Sequence, residues 1–361
     1  MLNILLKIPF YKAFYYFKWP KIMPMNYTVN VSFHCNSRCA TCNAWKMPHD
    51  NDLTLDEWKK VFTSLGKSPY WITFSGGEPF LRSDIVDMVS SAYNICQPKI
   101  INIPTNSLMG AEFISQKVQA ICDNCPNADL VLNLSLDGVA GKHDEIRGRE
   151  GNFAKVLAVY KALRQIKNKN LSIGIHSVVS KFNYSHIRDL YDYVAREIKP
   201  DQYISEIAEQ RKELGTIGKD ITPNYEEYSL AIDYLLEHLA SSHPKKIGRL
   251  TKHFRVEYYQ MVKKWLLTDK QIFSCYAGVA SAQINPQGEV WPCCVRADDL
   301  GNLRDHNYDF KKVWFSSKAD QIRASIKNKE CSCPLANAAY STMLCDIKTL
   351  FKISCKLILN K

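Results

Sequence analysis

Cys35, Cys39 and Cys42 lie close together in the run His34-Cys-Asn-Ser-Arg-Cys-Ala-Thr-Cys-Asn43. Thiolates are ligands for soft metal centres. A structural zinc or a closed iron–sulfur cluster takes four protein ligands. Three thiolates on a four-iron cube leave one iron without a protein ligand, and that iron can hold a small molecule. A zinc ion completed by His34 or His49 is the other chemistry open to this triplet.

Further chemistry-bearing residues follow short apolar runs. Trp71-Ile-Thr-Phe-Ser ends in Gly76, Gly77, Glu78 and Pro79. Glycine permits close backbone approach, and a carboxylate accepts hydrogen bonds from an ammonium group. Ile100–Asn106 ends in Thr105 and Asn106, and Leu130–Gly138 ends in Ser135, Asp137 and Gly138. Taken singly, Gly76-Gly77 reads as an ordinary turn and Arg147 as a solvated cation.

In this order the motifs resemble the radical S-adenosylmethionine (SAM) superfamily, over about residues 27–345. The resemblance implies a [4Fe–4S] cluster on Cys35, Cys39 and Cys42, with SAM chelated by the open iron. It implies that Gly76, Gly77 and Glu78 meet the SAM amino group. It places Asn106, Ser135 and Asp137 along the SAM site, the last two beside the ribose, and sets Arg147 against the SAM carboxylate. Many relatives carry an aromatic residue before the third cysteine; here that position is Thr41, and Trp45 lies beyond the loop.

Six strand-like segments, 27–33, 71–75, 100–105, 129–135, 172–179 and 202–206, alternate with helical ones. Each is rich in Val, Ile, Leu or aromatic residues, as buried parallel strands are. Thr54-Leu-Asp-Glu57 reads as a capping box opening a helix through Leu65. The pattern predicts an α/β fold, a partial (β/α)6 TIM-like barrel with a small C-terminal cysteine-rich domain. Reactive residues gather at the strand C-terminal ends in such barrels.

Residues 1–24 read as a basic amphipathic arm, 25–206 as the barrel, 207–270 as a helical bridge, 271–347 as the cysteine-rich domain and 348–361 as a basic tail. Glu206, Glu209 and Arg211 follow the sixth strand; they read either as acid–base groups or as a solvated charge run.

Cysteines return at Cys275, Cys293, Cys294, Cys331, Cys333 and Cys345. Pro286-Gln-Gly288 supplies a hairpin turn before Cys293. This stretch resembles the SPASM or twitch extension, which implies an auxiliary [4Fe–4S] cluster on Cys275, Cys293, Cys331 and Cys333, with Cys345 and Cys294 in reserve. Four thiolates serve zinc equally well. Cys122 and Cys125 are an isolated pair, read as incidental.

The chain has 361 residues, 46% hydrophobic and 23% charged, as in a globular protein. Its 13 cysteines, spread through a long chain, suit a reducing cytosol better than a secreted disulfide framework. No apolar run is long enough for a transmembrane span. The formal charge is +11, and no acid precedes Asp50. Both basic, aromatic ends suit an anionic membrane surface, or pack as arms on the barrel. No nucleic-acid module is evident.

The resemblance further implies a flavodoxin- or ferredoxin-type electron donor. A carbohydrate or lipid-linked substrate is the favoured expectation, partly because few residues precede the first strand to recognise a peptide. A peptide-modifying enzyme and a non-catalytic iron–sulfur or zinc protein are the alternatives.

Overall fold

A computed structural model describes residues 2–241 and 247–359. Position 1 of the arm, 242–246 of the bridge and 360–361 of the tail lie outside the described residues. Six parallel strands run in sequence order: β1 (Asn26–Ser32), β2 (Trp71–Gly76), β3 (Ile100–Thr105), β4 (Asp129–Ser135), β5 (Leu171–Val179) and β6 (Gln202–Ile207). They match the six expected segments closely. A partial TIM barrel with a C-terminal domain is the architecture.

The helices of the arm are α1 (Leu2–Leu5) and α2 (Ile8–Phe17). Those of the barrel are α3 (Leu55–Leu65), α4 (Ile85–Cys96), α5 (Ala111–Asn124), α6 (Gly141–Arg147), α7 (Asn152–Leu163) and α8 (Ile187–Tyr193). The capping box is present: the Glu57 amide donates to Thr54 Oγ1 at 3.3 Å, and the Thr54 amide donates to Glu57 Oε2 at 2.8 Å. The amphipathic face of α3 buries Trp58, Val61, Phe62 and Leu65. These pack with Tyr27, Val29, Ile72 and Phe74 into one continuous core. Removing a side chain such as Phe62 costs about 3–5 kcal/mol in cores of this kind.

After β6 come α9 (Tyr225–Ser241) and α10 (Ile247–Thr268), within the segment read as a helical bridge. The cysteine-rich region contributes β7 (Ser281–Ile284), β8 (Glu289–Trp291) and β9 (Gly301–Asn302). Four helices follow: α11 (Phe310–Trp314), α12 (Ser317–Lys327), α13 (Ala336–Cys345) and α14 (Ile347–Leu359).

The expected hairpin exists, but it is not free-standing. Strand β7 pairs in parallel with β1, from Asn26 opposite Ser281 to Val29 opposite Ile284. One nine-stranded sheet results, ordered β6-β5-β4-β3-β2-β1-β7-β8-β9. The exposed hydrogen-bonding edge of β1 is thereby satisfied. The C-terminal cysteines are carried on an extension of the sheet that bears the front cysteines.

Candidate functional site

The front cysteines lie on the loop leaving β1, and glycines set its path. Gly76 has φ +117°, and a Cβ there would meet the Ser32 carbonyl oxygen at 2.2 Å. A Cβ on Gly77 would meet the His34 carbonyl oxygen at 2.2 Å. These approaches allow Gly77 N–H to donate to Ser32 O (2.8 Å) and Glu78 N–H to His34 O (2.9 Å). The end of β2 is thus stitched to the start of the cysteine loop.

The far side of the loop is held by the end of α6. Arg38 N–H donates to Arg147 O at 3.1 Å, and Ala40 N–H to Ile146 O at 2.8 Å. Gly148 (φ +60°) leaves room for Arg38, whose carbonyl oxygen would lie 2.5 Å from an added Cβ. Arg149 Nε donates to the Asn36 carbonyl.

Donors converge on the three sulfurs. Ser37 N–H reaches Cys35 Sγ at 3.5 Å and Ala44 N–H reaches Cys42 Sγ at 3.3 Å. Arg147 Nη1 lies 3.8 Å from Cys39 Sγ, and Asn106 Nδ2 3.9 Å from Cys35 Sγ. Burial pushes the Cys42 thiol up to about 12, and the sulfur of Cys39 adds to the rise. The three sulfurs lie near enough to raise one another's pKa, and as soft donors brought together they fit an iron–sulfur cluster, which would hold them as thiolates. Among the described residues no three His, Cys, Asp or Glu side chains converge as ligands of a single metal ion. His34 and His49, the proposed zinc partners, are exposed and stack on each other with ring centres 4.6 Å apart.

Glu78 is tied into the chain at the ends of two strands. Its side chain is buried, and its carboxylate accepts from Thr105 Oγ1 (2.8 Å), Asn106 N–H (2.7 Å) and Phe80 N–H (3.2 Å). About three of its four acceptor sites are therefore used inside the chain. Burial raises its pKa to about 7. Glu78 staples the ends of β2 and β3 together. Asn106 extends the staple by donating to Asn36 Oδ1 at 2.8 Å, next to the first cysteine.

Asp137 and Arg147, expected at separate ends of SAM, pair with each other. Asp137 Oδ2 lies 2.7 Å from Arg147 Nε, and Oδ1 accepts from Val178 N–H at 2.8 Å. Burial opposes the guanidinium charge, but Asp137 and Cys39 outweigh it. The reason is steric proximity: the last turn of α6 folds back over the end of β4. Ser135, at that end, faces the neighbouring strand position His176 and is partly exposed. His143 is buried beneath the pair. Its Nδ1 accepts from Asp137 N–H (3.1 Å), so its Nε2 donates to Asn152 Oδ1 (3.2 Å). Burial lowers its pKa to about 4, which keeps it neutral.

The charges at the end of β6 and just after it form a network, not a solvated run. Arg211 Nη2 lies 3.0 Å from Glu209 Oε1 and 3.9 Å from Glu206 Oε2. His176 Nε2 lies 3.5 Å from Glu206 Oε1. Glu209 is buried, and its Oε2 has no hydrogen-bond partner among the described residues. Burial raises its pKa to about 7.

The segment after β6 is a strap that touches both cysteine regions. Asn43 N–H donates to Leu214 O at 2.9 Å, beside Cys42. Lys212 N–H donates to Val295 O (3.1 Å) and Glu213 N–H to Cys294 O (3.3 Å). Glu213 Oε1 also accepts from Asn30 of β1 at 2.6 Å and from Gln283 of β7. Sequence reasoning missed Asn36, Arg149, Gly148, His176 and Glu213. Gly148-Arg149, directly after Arg147, and the lone acid of Lys212-Glu213-Leu214 were the available signals.

Cys275, Cys293, Cys331 and Cys333 line one cavity with Phe273, Arg296 and Thr342. Burial pushes the Cys293 thiol up to about 12, with Cys275 and Cys331 contributing. This four-thiol set fits an auxiliary cluster. Cys345 does not join it: it is buried with Tyr11, Phe14 and Tyr276 under the N-terminal arm. Cys294 is buried in an apolar cluster against which Cys275, Cys293 and Cys333 pack, but it does not line the cavity, and Arg211 and Glu213 also act on its thiol. Cys122 and Cys125 are core residues at the end of α5.

Comparison with known proteins follows this division. Residues 29–194 match the radical SAM superfamily, and residues 275–334 match an iron–sulfur cluster-binding domain named SPASM. The chain is similar to the Fe-coproporphyrin III synthase of Methanosarcina barkeri, at 23% identity over 83% of this chain and 76% of that protein. It is similar to the PqqA peptide cyclase of Bradyrhizobium diazoefficiens, at 24% identity over 82% of this chain and 74% of that protein. In fold it resembles Streptococcus suis SuiB bound to the precursor peptide SuiA, with TM-score 0.61 and 15% identity, covering 84% of this chain and 67% of that one.

Proposed function

The chain belongs to the radical SAM superfamily and carries a C-terminal SPASM domain, and from that premise we propose that it is a peptide-modifying oxidoreductase. The expectation of a carbohydrate or lipid-linked substrate gives way here. Among relatives, a peptide cyclase and a precursor-peptide-bound enzyme support a peptide instead.

When bound, the front cluster supplies the electron that cleaves SAM to methionine and a 5′-deoxyadenosyl radical, and the auxiliary cluster supplies an acceptor for the electron left on the substrate. Cys35, Cys39 and Cys42 would hold the first; Cys275, Cys293, Cys331 and Cys333 would hold the second. Arg147 fixes a positive charge beside Cys39. Gly76, Gly77 and Ser135 leave open backbone and a hydroxyl at strand ends, where SAM would lie. Glu209, buried with one free carboxylate oxygen and a pKa near 7, is placed to take the proton that leaves an oxidised substrate. The strap, tied to both cysteine regions, would help to keep water from the reacting carbon. A flavodoxin- or ferredoxin-type donor is the expected reductant. Among the described residues no two cysteines form a disulfide.

The observation that carries this reading is the strap 211–216, which joins the three-thiol loop to the four-thiol cavity across a buried acid–base network. Co-expression with a short peptide encoded beside its gene tests it. Mass spectrometry should show the peptide lighter by two hydrogen atoms. An unchanged peptide, with conversion of an iron-coproporphyrin instead, would contradict it.

A further inference from the structure

The arm helix α2 carries apolar residues on two opposite sides and a single cation, the half-buried Lys12, between them. Ile8, Tyr11, Phe14 and Tyr15 are buried against Met25, Tyr276 and Ala280. At 100° per residue, the opposite side carries Pro9, Phe10, Ala13, Tyr16 and Phe17. Phe10 is 52% exposed, Phe17 78% and the following Trp19 74%. In α1 and just after it, Leu5 and Leu6 are exposed as well. An exposed aromatic face beside lysines suits the interface of a lipid surface. Helix α2 has ten residues, too short to span a bilayer. No described helix of the chain is long and apolar enough to do so.

Charge selects the occupant. Lys7 and Lys18 flank the two ends of α2, and Lys21 follows; all three are exposed. Lys327 of α12 places its ammonium 5.2 Å from the centre of the Tyr16 ring. The nearby acids are already engaged: Asp320 by Arg323 at 2.9 Å, and Asp346 by the Thr349 amide at 2.8 Å. Helix α13 packs on α2 and leads into α14, where Ile347, Phe351 and Lys348 are again exposed. Exposed aromatic rings with flanking lysines match the headgroup region of an anionic bilayer. A protein partner would not require that excess of cations over so aromatic a face.

We propose that the outer face of α2, with Trp19, docks the enzyme on an anionic lipid surface. The site lies on the side of α2 turned away from the barrel and is independent of the substrate reading.

The test is co-sedimentation of the full chain with phosphatidylcholine vesicles, with and without phosphatidylglycerol. Pelleting is expected only with the anionic vesicles, and it should weaken with added salt. Lys7→Gln, Lys18→Gln and Lys21→Gln together should weaken it roughly a hundredfold, at about fivefold per lysine. Phe10→Ser, Phe17→Ser and Trp19→Ser together should abolish it, while the thermal unfolding transition stays in place because these side chains are exposed. Absence of pelleting by the wild type, or pelleting undiminished in the aromatic variant, would overturn the proposal. So would a concentration-dependent dimer, lost in the aromatic variant, with no vesicle binding; that result would assign the face to a second copy.

Discussion

Arg147 Nη1 stands 3.8 Å from Cys39 Sγ. This contact joins the second cysteine of the loop to the end of α6, and Asp137 holds the guanidinium from behind at 2.7 Å. A fixed, buried cation next to a cysteine sulfur stabilises negative charge on that sulfur. The pair explains why motifs more than one hundred residues apart in sequence act as one site.

Breaking that pair has a defined cost. Asp137→Asn leaves a buried guanidinium without its counter-charge, which destabilises by about 3–5 kcal/mol. Urea denaturation of the anaerobic protein should show the loss as a lower midpoint. An unchanged midpoint would mean that the charge is compensated elsewhere.

Gly77→Ala should dislodge the cysteine loop, because the new Cβ would meet the His34 and Phe33 carbonyl oxygens at 2.2 and 2.6 Å. The neighbour is backbone and cannot swing aside. Iron analysis after anaerobic reconstitution should find about four irons fewer per chain than in the wild type. The far cluster region, carried on β7 and β8, should keep its share.

The auxiliary ligands separate by position. Cys331→Ser should lose the second cluster, seen as reduced iron and reduced charge-transfer absorption. Cys345→Ser and Cys294→Ser should retain it, since neither thiol lines the four-thiol cavity and the first lies under the arm.

Much of this was legible in the chain. The six strands read correctly because buried parallel strands announce themselves as apolar runs, and the Thr54 capping box is a local signal. The front triplet and the second cysteine group were likewise visible as spacings. What could not be read were consequences of return contacts. Glu78 looked like a ligand-facing carboxylate, because nothing in its neighbourhood shows Thr105 and Asn106 closing over it. Asp137 and Arg147 looked separate, because α6 folds back between them. Cys345 looked like a ligand because spacing does not reveal that α13 points its end at Tyr11. Glu206, Glu209 and Arg211 stayed open between acid–base groups and a solvated run, because a polar run carries no mark of its burial.

Glu209 gives a pH-dependent expectation. Burial raises its pKa to about 7, with Arg211 lowering it and Glu206 and Glu213 raising it. A carboxyl raised in the folded state favours folding below its ordinary pKa, and that contribution is lost as pH rises toward 7. As a proton acceptor it must be ionised, so product formation should climb through about pH 7. Glu209→Gln should lower product formation by about two to four orders of magnitude. It should leave 5′-deoxyadenosine release nearly intact and flatten the pH profile. Equal loss of both would mean a structural role.

The central claim is that the three-cysteine loop carries a cluster able to cleave SAM. Anaerobic protein, reconstituted with iron and sulfide, reduced with dithionite and given SAM, should release 5′-deoxyadenosine, measured by liquid chromatography with mass spectrometry. The variant with Cys35, Cys39 and Cys42 all changed to alanine should release none, while keeping the iron of its auxiliary site. Iron-loaded wild-type protein that leaves SAM intact, or a triple variant that still cleaves it, would contradict the account.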